Sequence, residues 1–263
     1  MVKENINLNY PIVLVHGISV HDRNKTFSCW GRIPETLENN GVQVFFGNTD
    51  SWGDYESNAL ILKETIKKIL LKTNKEKVNI IAHSKGGLDA RYLIWKHNFG
   101  GKVASLTTIS TPHHGSEIAD LINNGNLAHT KTANSALTLY GRLSNDIRPN
   151  IYSVNYQLTT KYMKQFNAEV INDDNVYYQS FYTTTKNAFQ DRLFIRTYNY
   201  LKRNIGANDG LVSAFSSQWY NTTKIEGSIS HREIQDIKRR KISSIDIPDI
   251  YINIVKDLRE RGF

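Results

Sequence analysis

The sequence predicts an α/β fold, in which a mostly parallel central sheet is flanked by helices. Short apolar runs rich in β-branched residues alternate with helix-like patterns through most of the chain, which is the order that builds parallel sheets. The length of 263 residues fits one domain of this kind, or two small ones. One long polar stretch, residues 115–175, interrupts the alternation. We therefore expect a single domain, 1–263, that carries an insertion.

The first half of the chain supplies strands and helices in alternation. Residues 10–15 form an apolar run typical of a buried strand, and the helical pattern of 30–39 ends at Asn40-Gly41, a common helix stop. A strand at 42–46 comes next. The amphipathic helix predicted at 54–72 has on its apolar side Leu60, Ile66, Ile69 and Leu70. The remaining predictions in this half are a strand at 78–82, a helix at 86–97 and a strand at 103–109.

The second half begins with the insertion, which we interpret as a lid or a cap. It has weak helical periodicity and many Asn, Thr and Ser residues, and within it 159–170 is typical of a capped helix. Its apolar residues, which could cover a site, include Ile118, Leu121, Ile122, Leu137, Leu139 and Tyr140. A strand at 176–183 follows, and then a helix at 191–203. The side chains expected to face inward from that helix are Leu193, Phe194, Tyr198 and Leu201. A short strand at 224–226 and a helix at 249–259 close the chain.

The composition is that of an ordinary globular protein and excludes several classes. Hydrophobic residues make up 40% and charged residues 22% of the chain. No apolar run approaches the ~18 residues of a membrane span, so we expect no transmembrane segment. Residues 1–10 lack the apolar core of a signal peptide, although removal of a signal would look the same and leaves localisation open. The single cysteine, Cys29, excludes an internal disulfide and a cysteine-based zinc site, so we expect it to be a small buried hydrophobe.

The formal net charge of +8 has two interpretations. The first is a set of solvated lysines along helices, and the second is attraction to anionic surfaces such as phospholipid headgroups. The densest basic cluster is 238–241. No aromatic-interleaved basic groove or nucleic-acid motif accompanies the charge, so we favour solvated lysines and expect no nucleic-acid partner.

The most informative segment is Ala82-His83-Ser84-Lys85-Gly86-Gly87, which lies between a predicted strand and a predicted helix. A small residue, any residue, Ser, any residue and Gly at such a junction is the pattern of a nucleophile elbow. The turn is so tight that only small side chains fit beside it, and it projects the Ser hydroxyl out of the sheet. Ala82 stands where glycine is usual, a difference of one methyl group. Ser84 is therefore the candidate nucleophile, and the alternative is a strand-to-helix turn with an incidental serine.

A serine hydroxyl needs a base, and the base needs an acid. His231 directly follows residues 224–230, which begin with the last predicted strand, and is the only histidine in the C-terminal half, so it is the candidate base. Asp209, in a polar turn after a helix, is the candidate acid. Its competitor, Asp191, is better explained as a helix N-cap. The order Ser, Asp, His is that of the hydrolases with such an elbow.

Two backbone N–H groups are needed to hold the oxyanion of a tetrahedral intermediate. One belongs to the residue after the nucleophile, Lys85. The other is expected from the turn after the first strand, His16-Gly17-Ile18, where the N–H of Ile18 is the candidate.

Four segments together resemble the bacterial true lipases, or family I lipases, of the α/β-hydrolase superfamily. They are Pro11 to Gly17, the elbow, Thr111 to Ser116, and Asn208 to Val212. The resemblance runs from about residue 10 to residue 231 and is weakest in the insertion. It implies an α/β-hydrolase fold with a helical lid, and esterase or lipase activity on acylglycerols without an organic cofactor.

The resemblance also implies roles for single residues. Ser84, Asp209 and His231 match the family's triad positions, and Ile18 and Lys85 match its oxyanion positions. His113 and His114 fall near the base of the lid, and we interpret them as structural or loop residues rather than metal ligands.

Many proteins of this family bind a structural Ca²⁺ near the catalytic histidine, and an acidic residue two places after it is one ligand. Glu233 has that position, which makes it a weak metal candidate. Ile237 and Lys238 stand where further oxygen ligands would be useful, and Ca²⁺ requires ~6–8 oxygens. We therefore expect no calcium and no cofactor.

These observations predict a serine ester hydrolase that cleaves fatty-acyl esters such as acylglycerols and meets a lipid interface transiently through its lid. Two alternatives remain open. One is an esterase or thioesterase for soluble substrates, and the other is a catalytically inactive α/β-hydrolase that serves as a binding protein. An intact Ser, Asp and His in the expected order argues against the inactive protein, since binding does not require all three.

Overall fold

The computed structural model describes residues 5–22, 29–124 and 146–263. Within these ranges the strands form one parallel sheet of six, in the order β2-β1-β3-β4-β5-β6. The strands are β1 (Ile12–Val15), β2 (Val44–Phe46), β3 (Val78–His83), β4 (Val103–Ile109), β5 (Tyr177–Tyr182) and β6 (Thr222–Lys224). The parallel sheet predicted from the sequence is confirmed.

Strand β1 shows why the strand sequences are continuously apolar. Ile12 and Leu14 lie in the hydrophobic core on one face of the sheet, and Val13 and Val15 lie in the core on the other. Successive side chains of a strand point to opposite faces, and both faces are covered, so every position of β1 is buried.

Helices cover both faces of the sheet. In chain order they are α1 (Ile33–Asn39), α2 (Tyr55–Thr73), α3 (Gly86–Lys96), α4 (Glu117–Asn124), α5 (Ile151–Gln157), α6 (Thr160–Glu169), α7 (Ile195–Asn204), α8 (Ala214–Ser217) and α9 (Ile247–Glu260). Helices α1 and α9 contribute apolar side chains to one core, and α2 and α3 contribute to the other. Short 3₁₀ turns occur at Gly100–Lys102, Arg192–Phe194 and Glu233–Gln235.

Local capping explains where two predicted helices begin. The Asp54 carboxylate accepts a hydrogen bond from the backbone N–H of Ser57 and caps α2, and Thr159 caps α6 through the N–H of Tyr162. The helix predicted at 159–170 is thereby confirmed. Cys29 is buried, as predicted.

The predictions for two residues and for the position of one strand were wrong. Leu60 is 43% exposed, because it lies two positions from the buried Leu62 and therefore about 200° around α2. Leu193 is 67% exposed, since it belongs to a 3₁₀ turn and α7 begins only at Ile195. The last strand lies two residues earlier than predicted, at Thr222–Lys224, where it pairs with the end of β5.

The described part of the insertion consists of α4, α5 and α6. Buried side chains from all three helices form a third hydrophobic cluster with Tyr55 of α2 and Leu88 of α3. The predicted lid residues Leu137, Leu139 and Tyr140 lie outside the described residues. Leu121 and Ile122 of α4 are 45% and 42% exposed.

Two aspartates join residues 146–148 of the insertion to residues 50–52 of the loop that follows β2. The Asp50 carboxylate accepts hydrogen bonds from the backbone N–H groups of 147 and 148, and the Asp146 carboxylate accepts from those of 51 and 52. Both side chains are buried. Because buried carboxylates need such donors, this reciprocal arrangement fixes where the insertion rejoins the loop that follows β2.

The strand order places a crevice at the carboxyl ends of β1 and β3. The chain leaves β1 for β2 on one side and later returns to β3 on the other, so the loops that follow β1 and β3 diverge. Ligands of open parallel sheets bind at such a switch point. No helix in the described ranges combines the length and the apolarity needed to cross a membrane.

Candidate active site

Ser84 occupies the turn between β3 and α3 in a strained conformation. Its φ is +54°, in the left-handed region that residues other than glycine seldom adopt. Its backbone N–H donates a hydrogen bond of 2.9 Å to the carbonyl of Ile109, the last residue of β4. The strain and its position at a strand-to-helix turn are those of the elbow predicted from the sequence.

Two glycines allow the loop after β1 to pack against this turn. A Cβ at Gly86 would lie 2.4 Å from the carbonyl oxygen of His16, and a Cβ at Gly17 would lie 2.6 Å from the Cβ of Ser84. No side chain fits in either space. The His16 ring holds the loop from the other side, since its nitrogens lie 2.7 and 3.0 Å from the carbonyl oxygens of Gly17 and Thr49.

His231 lies within hydrogen-bond distance of both Ser84 and Asp209. Its Nδ1 is 2.8 Å from the Asp209 Oδ2, and its Nε2 is 3.0 Å from the Ser84 Oγ. A carboxylate can only accept, so Nδ1 carries the proton and donates it to Asp209. Nε2 is then an acceptor, and the Ser84 hydroxyl donates to it.

The Asp209 carboxylate is oriented by its own turn. Its Oδ1 accepts hydrogen bonds from the backbone N–H groups of Leu211 and Val212, at 3.0 and 2.8 Å, which leaves Oδ2 for the imidazole. The backbone N–H of His231 also donates to the Asp209 carbonyl, at 2.9 Å. Two hydrogen bonds therefore join Asp209 to His231.

Two backbone donors beside Ser84 have no acceptor among the described residues. They are the N–H groups of Ile18 and Lys85, the two positions predicted from the sequence. Lys85 is buried and Ile18 is half-buried. Backbone N–H groups shielded from solvent are nearly always paired, so two without acceptors beside a strained serine form a place where a substrate oxygen can bind.

His83, which the sequence analysis left without a role, joins the strand of Ser84 to the loop of His231. Its Nε2–H donates to the His231 carbonyl at 2.9 Å, and the two rings are 4.6 Å apart between centroids. Burial, with a smaller contribution from His231, holds the pKa of the His83 imidazole well below its usual value. His83 is therefore a neutral side chain that links the strand before Ser84 to the loop of His231.

A buried ion pair underlies the elbow and was also missed. The Lys85 Nζ donates to both carboxylate oxygens of Asp89, at 2.6 and 2.8 Å, and Asn58 of α2 donates to the same carboxylate at 2.8 Å. The side chains of Lys85 and Asp89 are 2% and 1% exposed. Their i, i+4 spacing was a visible signal for the pair, but nothing local pointed to Asn58.

Asp191, the competitor for the role of acid, contacts other groups, among them the Ser230 hydroxyl, which donates to its carboxylate at 3.3 Å. It caps the 3₁₀ turn through the N–H of Leu193, as predicted, and its carboxylate forms a two-pronged ion pair with the Arg232 guanidinium, at 3.0 and 3.1 Å. The structure brings Asp209, and not Asp191, to the imidazole of His231.

The Glu233 carboxylate is already surrounded by donors. Lys238 Nζ lies 2.6 Å from one oxygen, and the other accepts from the Ser230 N–H at 2.9 Å and from the Gln190 amide at 2.6 Å. Among the described residues, no group of three or more His, Cys, Asp or Glu side chains is arranged to hold a metal ion. These contacts do not fit a calcium ligand.

His113 and His114 both contact protein groups. His113 is buried, with Nε2 2.9 Å from the Thr108 hydroxyl. His114 is exposed and stacks on Phe215. Burial, aided by Arg91, lowers the pKa of the His113 imidazole well below its usual value, so this ring is neutral.

The fold and this site define the class of protein, a serine ester hydrolase of the α/β-hydrolase superfamily. More particularly, the chain belongs to the palmitoyl protein thioesterase family, whose sequence model matches residues 11–246.

Its relatives include lipases. It is 32% identical to "Triacylglycerol lipase 2" of Saccharomyces cerevisiae, over 89% of this chain and 74% of that protein. It is 27% identical to a triacylglycerol lipase of Pseudomonas fragi, over 98% of this chain and 99% of the relative.

Solved structures of a lipase and an esterase superpose on this chain. The mature form of the Bacillus licheniformis lipase BlEst2 superposes with a TM-score of 0.68 at 25% identity, covering 94% of this chain and 91% of that one. The metagenomic carboxyl esterase MGS0156 shares the fold, with a TM-score of 0.76 at 17% identity over 98% of this chain and 78% of its own. The predicted α/β-hydrolase fold and ester hydrolase class are confirmed.

Proposed function

We propose that Ser84, His231 and Asp209 are the catalytic triad of an enzyme that hydrolyses fatty-acyl esters through an acyl-enzyme. The observation that carries the proposal is the continuous chain of hydrogen bonds from the Ser84 Oγ through the His231 ring to the Asp209 carboxylate, at 3.0 and 2.8 Å. This is the arrangement that makes a serine hydroxyl nucleophilic at neutral pH.

The reaction follows from the tautomer. His231 Nε2 removes the Ser84 proton as Oγ attacks the ester carbonyl carbon, and Asp209 stabilises the imidazolium that forms. The N–H groups of Ile18 and Lys85 bind the oxyanion. His231 then protonates the leaving alcohol, and water activated by the same nitrogen releases the acid from Ser84.

Lipid esters are the proposed substrates, and triacylglycerols are the first to test because two relatives carry that name. Apolar surface beside the site supports this choice. The Phe194 ring is 6.3 Å from the His231 ring between centroids, and its neighbour Leu193 is 67% exposed. Such a side chain can enter a lipid surface with a favourable transfer free energy. We further propose that the chain resembles the family I true lipases in its catalytic residues.

The insertion is proposed to act as a lid that meets the lipid interface. The Ile18 side chain packs against the cluster formed by α4, α5 and α6, which connects the proposed oxyanion loop directly to the insertion. The exposed Leu121 and Ile122 of α4 would form part of an apolar rim. A movement of these helices would therefore alter both access to Ser84 and the position of the Ile18 N–H.

No metal or organic cofactor enters the proposed reaction. Lys238 supplies the positive charge beside Glu233, so we expect the loop of His231 to be ordered without calcium. We also expect no nucleic-acid partner.

An acyl thioester is the second candidate substrate, favoured by the family whose model the chain matches. The same nucleophile and oxyanion donors would attack a thioester carbonyl, and the thiolate would leave more readily than an alcoholate. The two candidates differ in the leaving group and not in the triad.

The test compares p-nitrophenyl esters of graded chain length, emulsified triacylglycerol and a palmitoyl thioester. We expect medium and long acyl esters to be cleaved faster than acetate, and Ser84→Ala to lose about 10⁴-fold or more in kcat while its melting temperature is kept. A serine-directed phosphonate should label Ser84 alone. Activity that survives in folded Ser84→Ala would overturn the triad, and a preference for the thioester over the matched ester would favour the second candidate.

A further inference from the structure

Arg91 of α3 is a buried cation without a carboxylate partner in the described parts of the chain. Its side chain is 3% exposed. The guanidinium lies over the Trp219 ring, 4.3 Å from its centroid, and 5.0 Å from that of Phe166. Its Nη1 donates to the His113 Nδ1 at 3.2 Å, and its Nε is buried without an acceptor.

These neighbours do not neutralise the charge. Aromatic faces attract a cation weakly, and His113 is a neutral acceptor that occupies one of five N–H donors. Buried cations in proteins are normally paired with an anion. Burial lowers the pKa of Arg91 to about 10, so the group remains charged at neutral pH. The missing component is a negative charge.

A cavity of about 510 Å³ lies beside Arg91, with room for such an anion. Among the described residues, no acidic side chain lines it, and Lys164 of α6 adds a second cation that forms no ion pair with any of them. The side chains of Trp219, Tyr220 and Ile171 supply apolar walls. The proposed triad residues do not line this cavity, so it is distinct from the ester site.

We propose that this cavity is a second ligand site, which binds a carboxylate or phosphate group carried on an apolar body. The Arg91 guanidinium anchors the oxyanion, since its planar donors match two oxygens at once. Lys164 adds attraction at the mouth, and the aromatic walls contact the apolar part. The site does not depend on the role proposed for Ser84.

The test measures binding by calorimetry and by the melting temperature, with three probes: decanoate, inorganic phosphate and neutral 1-decanol. The proteins are the wild type, Arg91→Met, Lys164→Gln and the control Lys161→Gln. Lys161 is an exposed lysine on the same helix that does not line the cavity. Lys164 is also exposed, so its variant keeps the test informative if Arg91→Met does not fold.

We expect at least one of the two anions to bind the wild type and Lys161→Gln equally and to raise their melting temperature by mass action. Affinity should fall about threefold or more in Lys164→Gln and about tenfold or more in Arg91→Met. Whether phosphate or decanoate binds more tightly identifies the source of the oxyanion. The proposal is overturned if neither anion binds, if Lys164→Gln binds as the wild type does, or if decanoate binds and decanol binds equally tightly. Decanoate held only at the ester site would give the second of these results.

Discussion

Replacing Asp89 by asparagine should destabilise the protein strongly although the substitution preserves size and shape. The Asp89 carboxylate accepts three hydrogen bonds, two from the Lys85 ammonium and one from Asn58, all between 2.6 and 2.8 Å. Both charged side chains are almost fully buried. Asp89→Asn therefore leaves the ammonium of Lys85 buried without a counter-ion.

The expected loss in the free energy of unfolding is about 3–5 kcal/mol, the usual cost of removing one partner of a buried ion pair. Lys85→Met should cost a similar amount, because it leaves the carboxylate unpaired. Removing both charges, in Lys85→Met/Asp89→Leu, should cost far less than the sum, since a buried pair and its apolar replacement are often nearly equal in stability. The pair is thus expected to show strong coupling.

Equilibrium urea unfolding at one pH of the wild type, Lys85→Met, Asp89→Leu and the double variant measures this coupling as a double-mutant cycle, and Asp89→Asn is measured beside them. The control is the pair Lys67–Glu64 on α2, which has a similar distance of 2.8 Å but side chains 49% and 60% exposed. Its removal should change little. A cost below about 1 kcal/mol for Asp89→Asn, or a double variant that costs the sum of Lys85→Met and Asp89→Leu, would contradict the strong coupling expected for this ion pair.

Three further predictions concern the site and its surroundings. Asp209→Asn should lower kcat by about 10⁴-fold, because the His231 imidazole loses the carboxylate that fixes its tautomer. Asp191→Asn should chiefly lower the melting temperature, because it weakens a helix cap. Steady-state kinetics and thermal melts compare the two variants, and a larger loss of kcat in Asp191→Asn would identify Asp191 as the acid. His83 and His113 are held neutral in the folded protein but take up protons near pH 6.5 when it unfolds. The contribution of each ring to the free energy of unfolding should therefore be constant above about pH 6.5 and fall below it by up to about 1.4 kcal/mol per pH unit. Urea titrations between about pH 7.5 and 5 test this, and a flat profile contradicts it. A chelator should leave activity and melting temperature unchanged, because the Glu233 carboxylate already accepts hydrogen bonds from protein donors. A fall in either quantity that calcium alone restores would show a metal site.

The parts of the site that the sequence could predict are those encoded by short segments. The elbow is a local pattern, and Asp209 and His231 each lie in a loop that follows a recognisable element. The contacts that were missed join segments far apart in the chain. Asn58 reaches Asp89 from another helix, and Arg91 of α3 contacts Trp219, which follows α8 in the chain.

The errors in the fold predicted from the sequence have a similar cause. Helical periodicity indicates an apolar side, but it does not fix the boundary of that side, so Leu60 was placed on the wrong surface. Leu193 was misplaced because apolar spacing does not distinguish a 3₁₀ turn from the start of an α-helix. The last strand shifted because its three residues are defined by pairing with β5 and not by their own polar sequence.

The ion pairs around the loop of His231 determine how the order of this loop responds to the concentration of ions in solution. Arg232 and Lys238 bring their charges to Asp191 and Glu233 on the same chain, whereas a dissolved cation would have to bind from solution. Stabilisation by a bound ion rises and falls with its concentration, but an intramolecular cation is always present at the same effective concentration. The order of this loop should therefore not depend on the concentration of divalent metal ions around the protein.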